Sequence, residues 1–538
     1  SLYEDAKKNK SEKTKKALEK YFSRAHFKPV PFGSFANVGT SKWDNHTLIK
    51  KSESIQLKAG FDNVFLSKKI NSSLEDQWTT ATYCTNPTIH FLNENKVSFY
   101  SSKIISSNGS DTIEKSFTEI DHDDNTSWLI ERFSHGAKMN EVIDELILEG
   151  FEREEVDSFL AEVIQTGLIF NDFLFNPYNS KLQKSNTFYS SDLIDKLSHD
   201  LKNKHDILNF SNHYIQEQDS FFKGVDSKNS HAIYSIDESH GTLNLDIQDK
   251  IRKYIDFTIH HNKHNTPFNK KLEKFKSELS NRFNDGFIPL TKVFNPNSGL
   301  DFASLKTDYK PELHQDIINA ILDNDGNGIS LRMPIVDEKQ KKSEKLPATF
   351  SVLFEILKCK TTAKEIIYFK GMGGASGLNL ISRFGEVSSE LCKEIADYEK
   401  NIHENKIIAE INMIPTLRSV NLLSNRQYYD YNIPVNTSYS EHSNPILIND
   451  IYIHLEGPNF TLMSKEHLKQ ILPKTISAIN FSISDFQIYR FLSEMEFHNE
   501  EITANNFNLN AYPNILIPYV ARIYLQDDIL LYGAQILL

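Results

Sequence analysis

The spacing of apolar residues changes along this chain, and that change limits the folds it can adopt. Residues 35–105 contain short runs in which apolar and polar residues alternate, such as Val97-Ser-Phe-Tyr100. Alternation with a period of two is typical of β-strands with one buried face. Between Arg153 and Gly167 the apolar residues recur at helical spacing, at Val156, Phe159, Leu160, Val163 and Ile164. The sequence therefore predicts an α+β chain in which several subdomains mix sheets and helices.

This helical stretch has the sequence context of a winged helix. Short helices are expected at 128–133 and 139–148, followed by the helix at 153–167 and a strand from Leu168. Winged-helix modules bind DNA or peptides. The last helix carries acidic residues at or near its exposed face: Glu152, Glu154, Glu155, Asp157 and Glu162. Because these charges oppose phosphate binding, residues 95–175 are predicted to recognise a peptide rather than DNA.

Length, charge and cysteine content restrict the class of protein further. A chain of 538 residues is expected to form several compact units, at roughly 150 residues a domain. No apolar run reaches the roughly 18 residues that a membrane span needs. The net charge of −12 argues against indiscriminate coating of nucleic acid. Cys84, Cys359 and Cys392 lack the spacing of a zinc site or a disulfide framework, which predicts a reducing, cytoplasmic setting.

The two ends of the chain suggest further expectations. Ser1-Leu2-Tyr3 and the apolar run ending at Leu538 are expected to be internal parts of a longer polypeptide. Residues 1–28 hold nine Lys or Arg against four acidic residues, a surplus of five positive charges in an acidic chain. A helix is predicted over residues 4–27. Its basic side chains are either a solvated face or a surface for nucleic-acid phosphates, and both interpretations stay open.

Three further motifs are better explained as structure than as sites. Residues 323–328 imitate the start of an EF-hand loop, but Pro334 stands where a bidentate glutamate is needed, so a turn is predicted. His260, His261 and His264 form a surface cluster without the motif of a zinc protease. Residues 371–377 are rich in glycine but match no phosphate-binding fingerprint, and predict only a close backbone approach after the strand 366–369. The sequence shows no covalent nucleophile and no metal or cofactor motif.

The segment Tyr21–Ala36 resembles a signature of the lantibiotic dehydratases. Their pattern is Arg-X-X-X-Arg-X-Thr-Pro-Phe-Gly-X-Phe-Ala, and this chain has Arg24, Lys28, Val30 and then Pro31-Phe-Gly-Ser-Phe-Ala36. Further short matches follow in the family's order: Phe61-Asp62, Tyr234-Ser-Ile-Asp237, Pro289-Leu290, Val293-Phe-Asn-Pro-Asn-Ser-Gly299, Ser382-Arg383-Phe384, Ala409-Glu410-Ile411, Pro415-Thr-Leu-Arg418-Ser-Val-Asn421, Arg426, Tyr431-Asn432-Ile433 and Pro518-Tyr-Val-Ala-Arg522. The resemblance covers nearly the whole chain.

The resemblance implies a reaction and a set of partners. In this family the amino-terminal region transfers glutamate from glutamyl-tRNA to Ser and Thr hydroxyls of a ribosomal precursor peptide. A separate carboxy-terminal domain then eliminates glutamate, and nothing in this chain resembles that domain. A winged-helix element in the family holds the peptide's leader, often by strand addition. The implied partners are the leader-bearing peptide, glutamyl-tRNA, an elimination domain or protein, a cyclase and a transporter; homodimerisation is left open.

The resemblance also implies site residues. An aminoacyl-tRNA ester is already activated, so the implied reaction needs no cofactor beyond the aminoacyl-tRNA co-substrate. The protein must position a hydroxyl, accept its proton and offset negative charge. The implied catalytic residues are Arg24, Lys28, Asp62, Asp237 and Arg383. The implied substrate-binding residues are Arg418, Asn421, Arg426, Lys16 and Lys20. All of these side chains are expected to converge on one cavity that receives the loaded CCA end.

Departures from the family pattern keep two alternatives open. Lys28 replaces an arginine and loses its planar, bidentate fork. Val30 replaces a threonine, and Asn432 replaces a glutamate. One alternative is a ligase that adds an amino acid from aminoacyl-tRNA to a peptide carboxyl terminus. The other is a scaffold that binds the peptide without catalysis.

Overall fold

The structure, a computed structural model, describes a discontinuous set of residues. These are 12–27, 37–49, 55–61, 78–107, 110–171, 231–237, 241–262, 267–306, 315–323, 328–333, 346–358, 365–385, 388–416, 419, 423, 427–439, 443–457, 459–498, 519–526 and 528–536. Within them the α-helices are α1 (Glu12–Phe27), α2 (Asp124–Arg132), α3 (Met139–Leu148), α4 (Arg153–Thr166), α5 (Asp246–Asn262), α6 (Pro267–Arg282), α7 (Leu290–Val293), α8 (Gln315–Leu322), α9 (Leu378–Ile381), α10 (Ser389–Ile402) and α11 (Gln487–Met495).

The strands in the same residues are β1 (Asn37–Val38), β2 (Ser41–Asp44), β3 (Ile55–Phe61), β4 (Thr82–Thr85), β5 (His90–Asn93), β6 (Lys96–Ser107), β7 (Ser110–Asp121), β8 (Ala137–Lys138), β9 (Ile169–Asn171), β10 (His231–Asp237), β11 (Gly241–Asn244), β12 (Gly286–Pro289), β13 (Ile329–Leu331), β14 (Ser351–Lys358), β15 (Glu365–Gly373), β16 (Ile407–Asn412), β17 (Tyr431–Pro434), β18 (Ile451–Glu456), β19 (Asn459–Ser464), β20 (Gln470–Lys474), β21 (Tyr519–Val520), β22 (Ile523–Leu525), β23 (Ile529–Tyr532) and β24 (Gln535–Ile536).

The chain divides into two compact units. The first comprises residues 1–69, 181–244 and 386–388, and the second comprises residues 70–180, 245–385 and 389–538. In the first unit, β10 pairs along its whole length with β3 in antiparallel fashion and also pairs in parallel with β1. A second small sheet pairs β11 with β2 in parallel. Helix α1 also belongs to this unit, and its end at Phe27 confirms the predicted carboxyl-terminal limit.

Residues 78–171 of the second unit have a core of their own. The three-stranded sheet β8-β4-β9 packs with α2, α3 and α4 around buried side chains that include Tyr83, Phe133 and Leu160. The predicted helix 139–148 is confirmed, and the helix predicted at 128–133 begins earlier, because the Asp123 side chain caps α2 by accepting from the Thr126 N–H at 2.8 Å. Helix α4 ends within one residue of the predicted limit of 167, and Gly167 follows it with a φ of 84° before β9.

Residues 78–171, which we call the amino-terminal module of the second unit, include a long hairpin whose side chains contact the rest of that unit. Strands β6 and β7 pair over twelve residues each, with β5 on the other side of β6. The hydroxyl of Tyr100 donates to the carbonyl of Phe294 at 3.2 Å. The ammonium of Lys115 donates to Asp485 at 3.3 Å. The module is therefore fixed by side chains on the hairpin itself.

A six-stranded sheet forms the centre of the second unit. Its order is β12-β18-β19-β20-β16-β17. Helices α6 and α11 cover one face through a core rich in phenylalanine, where Phe275 lies 5.0 Å from Phe491 between ring centroids. On the strands at its β16 side, Leu472 and Ile408 pack with Cys392 and Ala396 of α10. This sheet supplies much of the apolar burial that stabilises the fold.

A five-stranded sheet lies elsewhere in the same unit, with the order β13-β22-β23-β15-β14. Helix α5 packs on it, with the Tyr254 ring stacked on Phe369 at 4.1 Å. The predicted α+β fold is thus confirmed. Among the residues that the structure describes, no helix is both long enough and apolar enough to cross a membrane.

Candidate functional site

The predicted site residues fall on several separate segments. Lys16 and Lys20 are exposed on α1, four residues apart and so on one face of that helix. Arg24 lies on α1, and Asp237 is the last residue of β10. Arg383 is in the second unit. Lys28, Val30, Asp62, Arg418, Asn421 and Arg426 lie outside the described residues. Convergence of all these side chains on one cavity therefore stays a prediction.

Arg383 lies on a short 3-10 turn, Ser382–Phe384, which we call the arginine turn. It follows a tight loop, Gly374–Gly377, which begins directly after β15 and which we call the glycine loop. A Cβ atom on Gly374 would lie 2.7 Å from Oδ1 of Asn379, and the φ of Gly374 is 85°. Only glycine fits that backbone without strain. The close backbone approach predicted from the glycine-rich sequence is thus observed.

Buried hydrogen bonds hold the segment that leads to Arg383. Nδ2 of Asn379 donates to Oγ1 of Thr475 at 3.0 Å and to the Thr475 carbonyl, while the N–H of Ser376 donates to Oδ1 of Asn379 at 3.0 Å. The hydroxyl of Ser382 donates to the carbonyl of Ile476. Since Asn379 and Ser382 are buried, these bonds fix the backbone immediately before the arginine.

A buried group of charges lies on the other side of the glycine loop. Nζ of Lys474 donates to the Ala375 carbonyl at 2.5 Å, and it lies 4.0 Å from Glu399 and 3.9 Å from Glu496. We call Glu399, Lys474 and Glu496 the charge cluster. All three residues are buried. Burial raises the pKa of Glu496, an effect that the charge of Lys474 opposes.

Hydrogen bonds connect the charge cluster to the glycine loop. The hydroxyl of Thr349 donates to Glu399 and accepts from the N–H of Gly377 at 2.8 Å. The hydroxyl of Tyr429 also donates to Glu399, and burial raises the pKa of Tyr429 well above its ordinary value. Moving Thr349 or Tyr429 would leave an oxygen of the buried Glu399 carboxylate without its hydrogen-bond donor, so these bonds favour one arrangement of the backbone.

The charge cluster was not predicted from the sequence, although Glu399 carried a signal. Cys392 and Ala396 are buried on α10, and Glu399 follows them at helical spacing. A carboxylate on the apolar stripe of a helix indicates a buried, paired charge. Nothing in the sequence indicated Lys474 and Glu496 as its partners, because they belong to segments far along the chain.

The surroundings of Arg383 suit it to bind an anion. Burial lowers the pKa of its guanidinium, and the guanidinium carbon lies 4.5 Å from the centroid of the Phe384 ring. A partly desolvated, stacked guanidinium binds carboxylate or phosphate more strongly than one in water. Nearby, a Cβ on Gly385 would lie 2.1 Å from the hydroxyl of Tyr428, so this end of the turn is also closely packed.

Glu410 supports the packing of the two tyrosines beside the arginine turn. Its Oε1 accepts from the N–H groups of Tyr428 and of Tyr429, the latter at 2.9 Å. Burial raises the pKa of Glu410 to about 8, so the carboxyl is largely neutral at pH 7. Among the described residues, no group of three or more His, Cys, Asp or Glu side chains is placed to hold a metal ion.

Comparison with known proteins identifies the family. The family described as "Lantibiotic dehydratase, N terminus" matches residues 2–181 and 235–525. That match covers most of the chain, so the chain belongs to this family, and the resemblance seen in its motifs is confirmed. No curated protein matches it.

Solved structures show the same fold at low sequence identity. The tRNA dependent lantibiotic dehydratase MibB from Microbispora sp. 107891 has a TM-score of 0.76 and 11% identity, covering 98% of this chain and 55% of MibB. The glutamylation domain of TbtB from thiomuracin biosynthesis, bound to 5'-phosphodesmethylglutamycin, has a TM-score of 0.62 and 12% identity, covering 97% of this chain and 68% of that one. This chain thus spans about half the length of MibB.

Proposed function

We propose that this chain transfers glutamate from glutamyl-tRNA to Ser and Thr side chains of a ribosomally made precursor peptide. The observation that carries the proposal is the family match over residues 2–181 and 235–525, which includes the segments with Arg24, Asp62, Asp237 and Arg383. The fold shared with a tRNA dependent lantibiotic dehydratase and with a glutamylation domain supports it. The transfer would be the first half of dehydration in lanthipeptide biosynthesis.

The proposed reaction is a transesterification. The peptide hydroxyl oxygen attacks the ester carbonyl carbon of glutamyl-tRNA, and the bond to the terminal ribose oxygen breaks. The hydroxyl proton passes to a carboxylate, for which Asp62 and Asp237 are the candidates, and then to the leaving ribose oxygen. The glutamyl ester is already activated, so positioning and charge stabilisation are what the protein must supply.

The basic residues have separate proposed roles. Arg383 and Arg24, with Lys28, stabilise the developing oxyanion or hold the glutamyl carboxylate. Lys16 and Lys20, exposed on one face of α1, contact acceptor-stem phosphates, as do Arg418 and Arg426. Asn421 hydrogen-bonds to the substrate.

Leader recognition is proposed for the module at 95–175. Strand β7 lies at one edge of the described sheet β5-β6-β7, and an edge strand offers backbone groups to which an extended peptide can add. Elimination of glutamate, cyclisation and export would fall to an elimination domain or protein, a cyclase and a transporter. The proposed location is the cytoplasm, where aminoacyl-tRNA is available.

The test is to incubate the chain with its precursor peptide and glutamyl-tRNA and to measure peptide mass. The proposal expects additions of one glutamyl group each, located by fragmentation as side-chain esters on Ser or Thr. The matched control replaces glutamyl-tRNA with free glutamate and uncharged tRNA, and should give no addition. Absence of adducts with a leader-bearing peptide that binds the chain would overturn the proposal.

Lys28 and Val30, which replace an arginine and a threonine of the family pattern, favour one alternative. It is a ligase that joins the amino acid to the carboxyl terminus of the peptide. The same fragmentation shows whether the added group is on a side chain or at the carboxyl terminus. Mild alkaline hydrolysis also separates the two products, since a terminal amide resists it whereas a side-chain ester does not.

A further inference from the structure

Strands β19 and β20 separate from each other and leave a cavity. Their antiparallel pairing stops at Leu462–Ile471, although β19 extends back to Asn459 and β20 runs on to Lys474. Pro473 lies in the separated part of β20, and proline has no N–H to offer to a ladder. A cavity of about 380 Å³ is lined by both separated strands, a volume within the range of small-molecule sites.

Basic side chains dominate the outer part of this cavity. Lys406 is exposed and His403 is half-buried, and both line it. The pKa of His403 is lowered by burial and then by the positive charges of Lys474 and Lys406, against the opposing effect of Glu399. Burial is the larger cause, and the contribution of the two lysines shows that positive charge lies close to His403. An anion in the cavity would therefore be attracted.

The inner part contains a carboxyl group with unused hydrogen-bonding capacity. Glu496 lines the cavity, is 6% exposed and has a buried Oε1 that makes no hydrogen bond to any described residue. Its other oxygen accepts from the N–H and hydroxyl of Thr475. Nζ of Lys474 lies 3.9 Å from Oε1, which is beyond hydrogen-bonding distance. An unsatisfied buried oxygen at a cavity wall leaves room for a ligand group.

We propose that this cavity is a binding site for a small organic carboxylate. The ammonium of Lys406 pairs with the carboxylate, uncharged His403 donates a hydrogen bond to it, and the apolar wall formed by residues such as Leu472 and Met495 takes an aliphatic stem. The charge balance favours a monoanion at the basic side chains. A phosphate dianion would place a second negative charge near Glu399 and Glu496, where Lys474 is already shared between two carboxyl groups.

The site is distinct from the proposed acyl transfer in its residues. None of the residues proposed above for catalysis or substrate binding lines the cavity.

The experiment measures binding of pentanoate, a monocarboxylate with an aliphatic stem, to the full chain by isothermal titration calorimetry, with inorganic phosphate as the second probe. Two variants test the location. Lys406→Gln removes the charge at the cavity's outer edge and is expected to weaken pentanoate binding roughly three- to fivefold, the scale of an exposed ion pair. Thr461→Phe places a ring in the cavity and is expected to abolish binding. The matched control, Lys465→Gln, removes an exposed lysine that does not line the cavity, and should bind pentanoate normally.

Saturable pentanoate binding that Lys406→Gln and Thr461→Phe both weaken supports the site, provided that the control retains binding and all three variants keep the parent's melting temperature. Three results overturn it: no saturable pentanoate binding by the parent chain, binding unaffected by Thr461→Phe in a folded protein, or phosphate bound more tightly than pentanoate. Each readout is binding alone, so failure here leaves the proposed glutamyl transfer untouched, and the reverse also holds.

Discussion

Single residues determine where Arg383 stands. Asn379 contributes most to fixing this backbone, since its amide oxygen accepts from Ser376 in the glycine loop and its amide nitrogen donates to Thr475. The sequence predicted the close approach at these glycines, because glycine spacing is a local signal. It did not predict the partner at Thr475, because a hydrogen bond between distant segments leaves no periodic trace in either one.

Asn379→Ala should destabilise the protein by about 1–3 kcal/mol, because it leaves buried donors and acceptors unpaired. Urea unfolding followed by far-UV circular dichroism measures the change. Asn459→Ala, at an exposed position on β19, is the matched control and should lie within about 0.5 kcal/mol of the parent. Equal effects of the two substitutions would show that the Asn379 amide does not hold the loop.

Glu410 should make stability depend on pH. Burial raises its pKa from an ordinary 4.5 to about 8, so between these values the folded state holds a proton that the unfolded state has released. The contribution of Glu410 to the free energy of unfolding is therefore complete below its pKa in the unfolded state. It is lost as the pH rises towards its pKa in the folded state, with a slope of about 1.4 kcal/mol per pH unit.

Glu410→Gln keeps the shape and removes the titration. The free energy of unfolding of this variant should fall less steeply between about pH 5 and about 7.5 than that of the parent. The exposed Glu456→Gln serves as the control and should keep the parent's slope. A neutral buried carboxyl would be contradicted if the stability of the parent protein rose with pH in this window and Glu410→Gln had the same pH dependence as the parent.

At the scale of elements, the sequence predicted helices well where the signals were local. Helix α3 has the predicted bounds because its apolar residues keep helical spacing and Gly150 follows it. Helix α2 begins earlier than predicted, since the cap at Asp123 lies outside the apolar pattern used to find it. The pairing of β10 with β3, across a long stretch of sequence, has no local signal and was not predicted.

Gly167 ends α4 where the helix meets the hairpin, and it should tolerate no side chain. A Cβ there would lie 2.7 Å from the Cβ of Ser101 on β6, at a φ of 84°. Gly150 has a φ of 104° with nothing within 4 Å of such an atom, which makes it a matched control. Gly150→Ala should cost about 1 kcal/mol from backbone strain alone, and Gly167→Ala should cost about 1–3 kcal/mol more from the steric clash.

Chemical denaturation of the two variants measures that difference. Leader peptide binding, followed by fluorescence anisotropy, should weaken in Gly167→Ala only if the displaced hairpin takes part in recognition. Equal losses of stability in the two variants would contradict the close contact between Gly167 and Ser101 on β6.

For the whole molecule, the proposed catalytic residues are divided between two units. Arg24 and Asp237 belong to the first and Arg383 to the second. The family and the α+β fold could be predicted from ordered short motifs, since such motifs survive where overall identity is low. Convergence of these residues on one cavity stays a prediction, because no local pattern in the sequence encodes contacts between distant segments.

Arg24→Ala and Arg383→Ala should each reduce glutamylation at least tenfold, while leader binding stays within about twofold of the parent. Glutamyl adducts per unit time, counted by mass spectrometry, measure the first quantity and anisotropy the second. Arg252→Ala, an exposed arginine that pairs with Asp249 on α5, is the control and should keep full activity. Unchanged glutamylation in both variants would instead support the peptide-binding scaffold.

The bonds from Asn379 and Ser382 to Thr475 and Ile476 also affect the order in which the chain can fold during synthesis. They join stretches of chain 94 and 96 residues apart, and synthesis proceeds from the amino terminus at several residues per second. A ribosome that has delivered Arg383 but not Ile476 has therefore made the arginine without the carbonyl that holds Ser382 beside it. We expect the arginine turn of the nascent protein to become ordered only after Ile476 has emerged, when residues 78–171 are already outside the ribosome.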